Sequence, residues 1–489
     1  MRQPLHISAL AIAAFLTGCS LAPDYTPPLI PTPAAYKEAG PWQPAKPSDE
    51  LPRRDWWADY GDKTLDDLEA QIDTANPDLA ASLARYDEAR AYTAQTAASF
   101  LPFVNSGGSA TTNRQSAKRP LRSANQPNEY GTNTLDLQVG YELDLWGKIR
   151  NLVAAGRATA QARAADSESV RLSLHAELAN DYVAIRGLDA ELKLLADTDA
   201  AYSKAQTLTQ DRFEGKIASG IDVSRAESQL QSARALASED RAQRALIEHA
   251  IASLIGKPAS DFSLPPEIMN VPLPPVPTGL PATLLERRPD IAAAERRVAS
   301  ANAAIGVARA AFYPDITLNL TGGFQNTGSG FNLLAAPYSF WSIGPSLTLP
   351  IFEGGLRNAI EAQAFATLHE ESEDYRSTVL AAFQEVEDNL ALLHNLGQEA
   401  KEEEAATAAA EKTASLSLTL YQNGADSYLD VVVAQTEALD AERILLNLNT
   451  RRLQANIRLV RAIGGGWSTA DLPSGEVAGS LPQRRPSDS

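Results

Sequence analysis

TLDLQVGYELDLW, residues 134–146, alternates along its whole length. Leu135, Leu137, Val139, Tyr141, Leu143 and Leu145 fall on one side; Asp136, Gln138, Gly140, Glu142 and Asp144 fall on the other. A period of two residues is a strand with one apolar and one wet face. The chain around it reads as long, alanine-rich helix, so the fold turns on what covers that apolar face. A soluble sandwich would supply a second sheet, but only four long strands are expected here, in two separated pairs. Helices running away along a long axis would leave them bare. Lipid remains.

Outward from this strand, the sequence repeats itself. Pro77-Asp78-Leu79-Ala80-Ala81 matches Pro289-Asp290-Ile291-Ala292-Ala293, and Phe100-Leu101-Pro102 matches Phe312-Tyr313-Pro314. Ile221-Asp222-Val223 matches Leu429-Asp430-Val431. The units run over about 64–256 and 283–466, joined by a proline-rich linker over 257–282. Each reads helix, strand, strand, long helix, short break, helix. Strands are expected over about 102–116, 132–146, 313–325 and 338–351, the last pair repeating the opening alternation. From Lys148 to Arg212 there is no proline, which allows a helix of roughly 95 Å. Leu174, Leu178, Ile185, Leu188, Leu192 and Leu195 mark a coiled-coil-like seam. Alanine buries less area than leucine, so such helices need many neighbours and suit a wall of helices better than one compact bundle.

A lipid-facing sheet must close into a barrel, and about 9–11 tilted residues span the bilayer core. Trp146 and Trp341, with Tyr130, Tyr338 and Phe340, stand near strand ends as an interfacial aromatic belt would. Four strands cannot close, since small barrels need about eight. The chain must oligomerise: a dimer gives eight strands and a trimer twelve, the latter with a water-filled lumen.

The first residues are a separate unit. Arg2 precedes a short apolar run from Ile7 to Leu16, a signal peptide over 1–18. Leu16-Thr17-Gly18-Cys19 resembles the lipobox of a bacterial lipoprotein. That resemblance implies cleavage before Cys19, lipid on its thiol and acylation of the new amine, and several acyl chains anchor firmly. Aspartate after the cysteine would favour the inner membrane in that pattern; Ser20 points to the outer one. Residues 19–63 read as a lipidated, extended arm rich in proline and aromatics, and 467–489 as a disordered polar tail.

Across 489 residues the formal charge is −18, which argues against nucleic acid as a partner. It fits a well-solvated surface, or acidic rings in a cation-tolerant conduit. One cysteine excludes a disulfide framework. The five histidines, His6, His175, His249, His369 and His394, are scattered. There is no P-loop, nucleophile elbow or metal-binding spacing. Gly354-Gly355 is a strand-to-helix turn rather than a phosphate loop. No cofactor, metal or catalytic residue is expected, and the chain does not read as an enzyme.

The lipobox with Cys19-Ser20-Leu21-Ala22-Pro23-Asp24-Tyr25, Leu254-Ile255-Gly256-Lys257-Pro258, and Leu285-Glu286-Arg287-Arg288-Pro289-Asp290-Ile291 together resemble the TolC-like outer membrane efflux family. The closest branch is the NodT-type lipoproteins that serve resistance-nodulation-division (RND) pumps. The resemblance, from Cys19 to about Gly466, implies a mainly α fold with membrane β: a homotrimer whose twelve-stranded barrel crosses the outer membrane and whose helices form a periplasmic tunnel. It implies a passive duct for drugs or other small toxic compounds, with a periplasmic membrane-fusion adaptor and an inner-membrane RND or major-facilitator (MFS) pump as partners.

Two breaks between helices then become the candidate sites, residues 212–223 and 420–431. Gly and Asn are expected to supply the positive φ that ends each helix, and Ser219 and Ser427 to cap the next. Gly215, Gly220, Asn423 and Gly424 mark adaptor-docking hairpins. By resemblance, Asp430 matches a constriction aspartate, and Asp222 and Tyr421 an acceptor and a tyrosine of the closing network. Two positions depart from the family: Val433 stands where a second constriction aspartate belongs, and Asp426 where a closing arginine belongs. A hydrophobic ring at Val433 is an alternative way to narrow the pore. Two other functions compete: an exit duct for an ABC-type protein secretion system, and a lipid-anchored envelope spacer that does not conduct.

Overall fold

The structure is a computed structural model that describes residues 20–38, 55–120, 123, 125–269, 273–276, 283–327 and 333–473. The expected signal peptide over 1–18, Cys19 and the residues beyond Pro473 lie outside the described residues. Two helices open the first unit: α1, Lys63–Ala75, and α2, Pro77–Ala97. Both start for local reasons. Asp62 accepts the amides of Thr64 and Leu65, and Asn76 accepts those of Asp78 and Leu79, with Pro77 at the first helical position. Strands β1, Phe103–Arg114, and β2, Glu129–Glu142, follow, then α3, Lys148–Glu214, and α4, Gly220–Leu254. The second unit repeats the series with α5, Pro289–Ala310; β3, Asp315–Asn326; β4, Ser339–Thr348; α6, Leu356–Gln422; and α7, Tyr428–Ala462. Both α3 and α6 have 67 residues, and both α4 and α7 have 35.

The strand pairs are not separate. They form one antiparallel sheet in the order β1-β2-β3-β4. The register explains the join: Leu135, Leu137, Val139 and Tyr141 of β2 stand opposite Phe324, Gly322, Leu320 and Leu318 of β3. Ile316, Leu318, Leu320 and Gly322 in turn stand opposite Leu347, Pro345, Ile343 and Trp341 of β4. Directly paired residues share a face, so the apolar sides of β2, β3 and β4 merge into one surface, with Val104 of β1 at its edge opposite Val139. Nothing in the described chain covers it: Leu137 is 46% exposed, Ile343 58% and Trp341 77%.

Strand β2 ends at Glu142, four residues before the alternation does. Leu143 still donates its amide to Ile316, but Asp144 turns the chain by accepting the amides of Ile149 and Arg150 at the start of α3. Trp146 stacks on Tyr313, centroids 4.7 Å apart, and its indole N–H donates to the Pro314 carbonyl. Likewise β4 stops at Thr348 rather than 351. The left-handed glycines fall at these junctions, Gly147 and Gly354-Gly355, each leading into a 67-residue helix.

The cores lie midway along α3 and α6, where the C-terminal ends of α4 and α7 meet them. The larger packs Trp56, Trp57 and Tyr60 with Leu65, Ile72, Leu178, Tyr182, Ile185, Ile251 and Ile457. The second joins Tyr36 and Val276 to Val386, Leu390, Leu448 and Leu459. Towards the free ends of α3 and α6 the clusters shrink to a few residues each. Residues 467–473 correct the expectation of a disordered tail from 467: Trp467 is buried against Ala165, Ala292 and Ala293, and Ser468 caps a short turn. Three successive left-handed glycines, Gly464 to Gly466, steer the indole inward. Among the described residues no helix is long and apolar enough to cross a membrane.

Candidate gate and docking tip

Both hairpins end the same way. The amide of Ile217 bonds the Arg212 carbonyl, and that of Ala425 bonds the Leu420 carbonyl. Each closes over a left-handed residue, a helix stop that satisfies otherwise orphaned carbonyls. The left-handed positions are Lys216, at φ 62°, and Gly424, at φ 76°. Gly215 and Asn423, expected in that role, have right-handed backbone instead. Gly215, Gly220, Asn423 and Gly424 are all exposed, as are Phe213, Ile217 and Ile221 on the first hairpin and Leu420 and Leu429 on the second.

Asp222 and Asp430 each serve as a cap. The Asp222 carboxylate accepts from the Ser219 amide at 3.0 Å and the Ser219 hydroxyl at 2.8 Å, with Arg225 at 3.6 Å. The Ser427 hydroxyl donates to Asp430 at 2.6 Å and accepts the Asp430 amide. That hydroxyl, followed by interaction with Asp426, holds the Asp430 carboxyl below the usual carboxylate range. Asp426 itself accepts the Ser427 amide at 2.8 Å. Leu429, Asp430 and Val433 lie together on an exposed face of α7, whereas Val431 is fully buried.

Within one copy Asp222 and Tyr421, matched to an acceptor and a tyrosine of the closing network, do not bond each other. Asp222 is turned to its own helix end, and the buried Tyr421 hydroxyl has no hydrogen-bond partner among the described residues. Tyr421 packs on Tyr428, centroids 5.2 Å apart. The hairpins are joined by Arg212, which sequence reasoning passed over. Its guanidinium donates to the carbonyls of Tyr421 at 2.8 Å and Gln422 at 2.9 Å, and lies 4.5 Å from the Tyr421 ring centre. A cation here both caps the last turn of α6 and sits over an aromatic face. Its position, one residue before the phenylalanine of an Arg-Phe-Glu-Gly break, was the available signal.

At the opposite end the arm is pinned beneath the sheet. Ser20 donates to Asn151, near the start of α3, at 2.8 Å. Arg309 reaches the Leu21 carbonyl and Asn302 the Pro23 carbonyl. Tyr25 bonds Glu295, and the amides of Lys37 and Glu38 share the Glu387 carboxylate. The residue that follows Cys19 therefore stands level with the junction between sheet and helices.

A bare apolar β-surface over a long helical wall, with a capped double hairpin at the far end, defines an envelope protein that spans a membrane by strands and reaches away by helices. The chain belongs to the outer membrane efflux protein family, whose model matches residues 70–257 and 280–465, one match to each repeat. The toluene efflux pump outer membrane protein TtgF of Pseudomonas putida is 31% identical over 477 residues, 94% of this chain and 97% of that protein. The outer membrane protein OprJ of Pseudomonas aeruginosa is 31% identical over 472 residues, 96% of this chain and 97% of that protein. The solved structure of the outer-membrane channel OprN superposes with a TM-score of 0.85 at 27% identity, covering 92% of this chain and all of that one. The chain is an outer membrane channel for efflux.

Proposed function

We propose that three copies close the sheet into a twelve-stranded barrel and the helices into a periplasmic tunnel, giving a passive exit duct for small toxic compounds. The observation that carries this is the continuous apolar face on a sheet whose two edges, β1 and β4, are both unpaired among the described residues. Strands β2 and β4 run parallel, so β4 of one copy meets β1 of the next antiparallel, and the ring closes without a break. An adaptor docks on the hairpins around Gly215, Gly220, Asn423 and Gly424, and an inner-membrane pump of the RND or MFS type supplies the energy. Cys19 carries lipid at the level where Ser20 is pinned.

The tip is the gate. Arg212 holds the two hairpins of each copy together, and Asp430 and Val433 line the narrowing that results. Three Asp430 carboxylates in one ring favour cations at low salt. Planar-bilayer recording tests both parts. Arg212→Ala should raise conductance several-fold, and Asp430→Ala should move the reversal potential in a salt gradient towards zero. Wild-type protein without conductance would end the channel reading, and an unchanged Arg212→Ala channel would end the gate reading.

A further inference from the structure

The rim of the sheet farthest from the helices carries charge that a duct does not need. Two segments cross it. The one between β3 and β4, residues 327–338, holds no charged residue. The one between β1 and β2 is basic: from Arg114 to Asn128 there is no Asp or Glu, while Arg114, Lys118, Arg119 and Arg122 are cations. Arg122 lies outside the described residues. In a chain of formal charge −18, this local excess runs against the composition.

Register sets the side on which Arg114 stands. Ala110, Thr112 and Arg114 of β1 are opposite Asn133, Gly131 and Glu129 of β2. Paired residues share a face, and alternate residues of β2 lead back to Leu135 and Leu137. Arg114 is therefore on the lipid side of the sheet, not the lumen side. Glu129 lies six residues beyond Leu135, about 20 Å along the strand and about 15 Å higher at the tilt of a barrel. That lifts Arg114 past the apolar band to the level of lipid headgroups. Its pairing with Glu129, at 3.4 Å between side chains 81% and 65% exposed, is a weak one.

The loop above is held by its own bonds. The Gln115 amide donates to the Asn128 carbonyl at 2.7 Å, and Gln115 Nε2 to the Tyr130 hydroxyl at 2.8 Å. The Arg119 guanidinium donates to the Ser116 carbonyl at 3.2 Å, to Gln126 Oε1 at 3.2 Å and to Asn128 Oδ1 at 3.3 Å. All three acceptors are neutral, so this guanidinium is positioned without being neutralised. Lys118 is exposed. Among the described residues, neither Lys118 nor Arg119 forms an ion pair with a carboxylate.

We infer that Arg114, Lys118 and Arg119 form a docking surface for the phosphate groups of a glycolipid in the outer leaflet. This rests on the barrel reading above and names the lipid that the outward rim meets. The helices leave the sheet from its other rim, so this rim faces the cell exterior. The outer leaflet there is built largely of glycolipid whose sugars carry phosphate. An arginine fork matches two phosphate oxygens, and each cation of a basic cluster adds attraction to an anionic membrane surface. The position of Arg114 on the lipid side separates this surface from the path of the cargo.

The experiment is native mass spectrometry of full-length trimers in detergent. They are titrated with bisphosphorylated lipid A, with the same lipid A stripped of phosphate, and with phosphatidylglycerol. The bisphosphorylated form should bind about tenfold more tightly than either of the others, because it brings two phosphates to the cluster. Arg114→Gln, Lys118→Gln and Arg119→Gln should each weaken that binding by about fivefold, the worth of one cation at such a surface. Arg119 also braces its loop, so the Arg114→Gln, Lys118→Gln double variant, which leaves those bonds intact, decides the matter if Arg119→Gln does not assemble. Lys401→Gln removes an exposed cation far along α6 and should change nothing. Equal affinity for phosphorylated and stripped lipid A, equal affinity for phosphatidylglycerol, wild-type affinity in the double variant, or an equal loss in Lys401→Gln would each overturn the docking surface. Trimers that do not conduct in planar bilayers are a separate result, against the barrel itself.

Discussion

His175 Nδ1 lies 2.6 Å from Glu69 Oε2, and the glutamate is fully buried. Trp57 stacks on the imidazole at 4.4 Å, and Asp73, itself paired with Arg171 at 2.7 Å, stands 3.4 Å from Nε2. Burial, then Asp73 and Asp66, push the Glu69 carboxyl well above its usual value of 4.5. Burial brings His175 down from 6.5 to about 4. A raised carboxyl lends stability below its unfolded pKa and loses it as pH rises through the folded value. A lowered histidine lends stability above 6.5 and loses it as pH falls towards 4. In the mildly acidic range the two slopes oppose each other; the melting temperature in detergent should fall as pH drops from 6.5 towards 4 through His175, and fall as pH rises through the raised range of Glu69. Glu69→Gln should remove the alkaline fall. An unchanged alkaline limb in that variant would refute the assignment.

Asp189 clasps the linker. Its carboxylate accepts from Arg186 at 3.0 Å, Arg244 at 2.6 Å and the Glu267 amide at 3.0 Å, while Arg244 also holds the Leu264 carbonyl. Removing one partner strands buried charge, at about 3–5 kcal/mol. Asp189→Ala should lower the melting temperature and speed proteolysis near residues 264–267. Proteolysis at the wild-type rate would show that the clasp does not hold the linker.

The two helix stops differ at one position. Lys216 has φ 62° where Gly424 has φ 76°, and a left-handed L residue is strained by about 1–2 kcal/mol. Lys216→Gly should stabilise the tip and Gly424→Ala weaken it, each by about 1 kcal/mol. Hydrogen exchange of the neighbouring amides, Ile217 and Ala425, reads both.

Leu137 and Gln138 are adjacent in β2 and on opposite faces. Arginine on a lipid face near mid-bilayer costs about 2–4 kcal/mol, and on a lumen face little. Leu137→Arg should reduce outer-membrane trimer on native gels, and Gln138→Arg should not. Equal yields would put water, not lipid, against Leu137.

Much of this was legible because it depends on period and spacing. Alternation at Leu135 to Tyr141 and its echo at Ile316 to Leu320 announced the strands, and the absence of proline announced the 67-residue helices. The joining of β2 to β3 was not legible, since pairing between repeats depends on contacts far apart in sequence. Strand ends were misread for a local reason: Asp144 reads as one more polar residue in the alternation until its carboxylate is seen to cap α3. At the tip, the caps Ser219 and Ser427 follow from sequence. The hold of Arg212 on two backbone carbonyls does not, because backbone acceptors leave no mark on residue identity.

The matched lengths of α3 with α6, and of α4 with α7, act as a ruler. Two residues added to α3 alone would lift its hairpin about 3 Å out of level with its twin and turn it by more than half a circle. Only paired insertions of whole turns, made in both repeats, would let such a conduit grow to suit a wider gap between membranes.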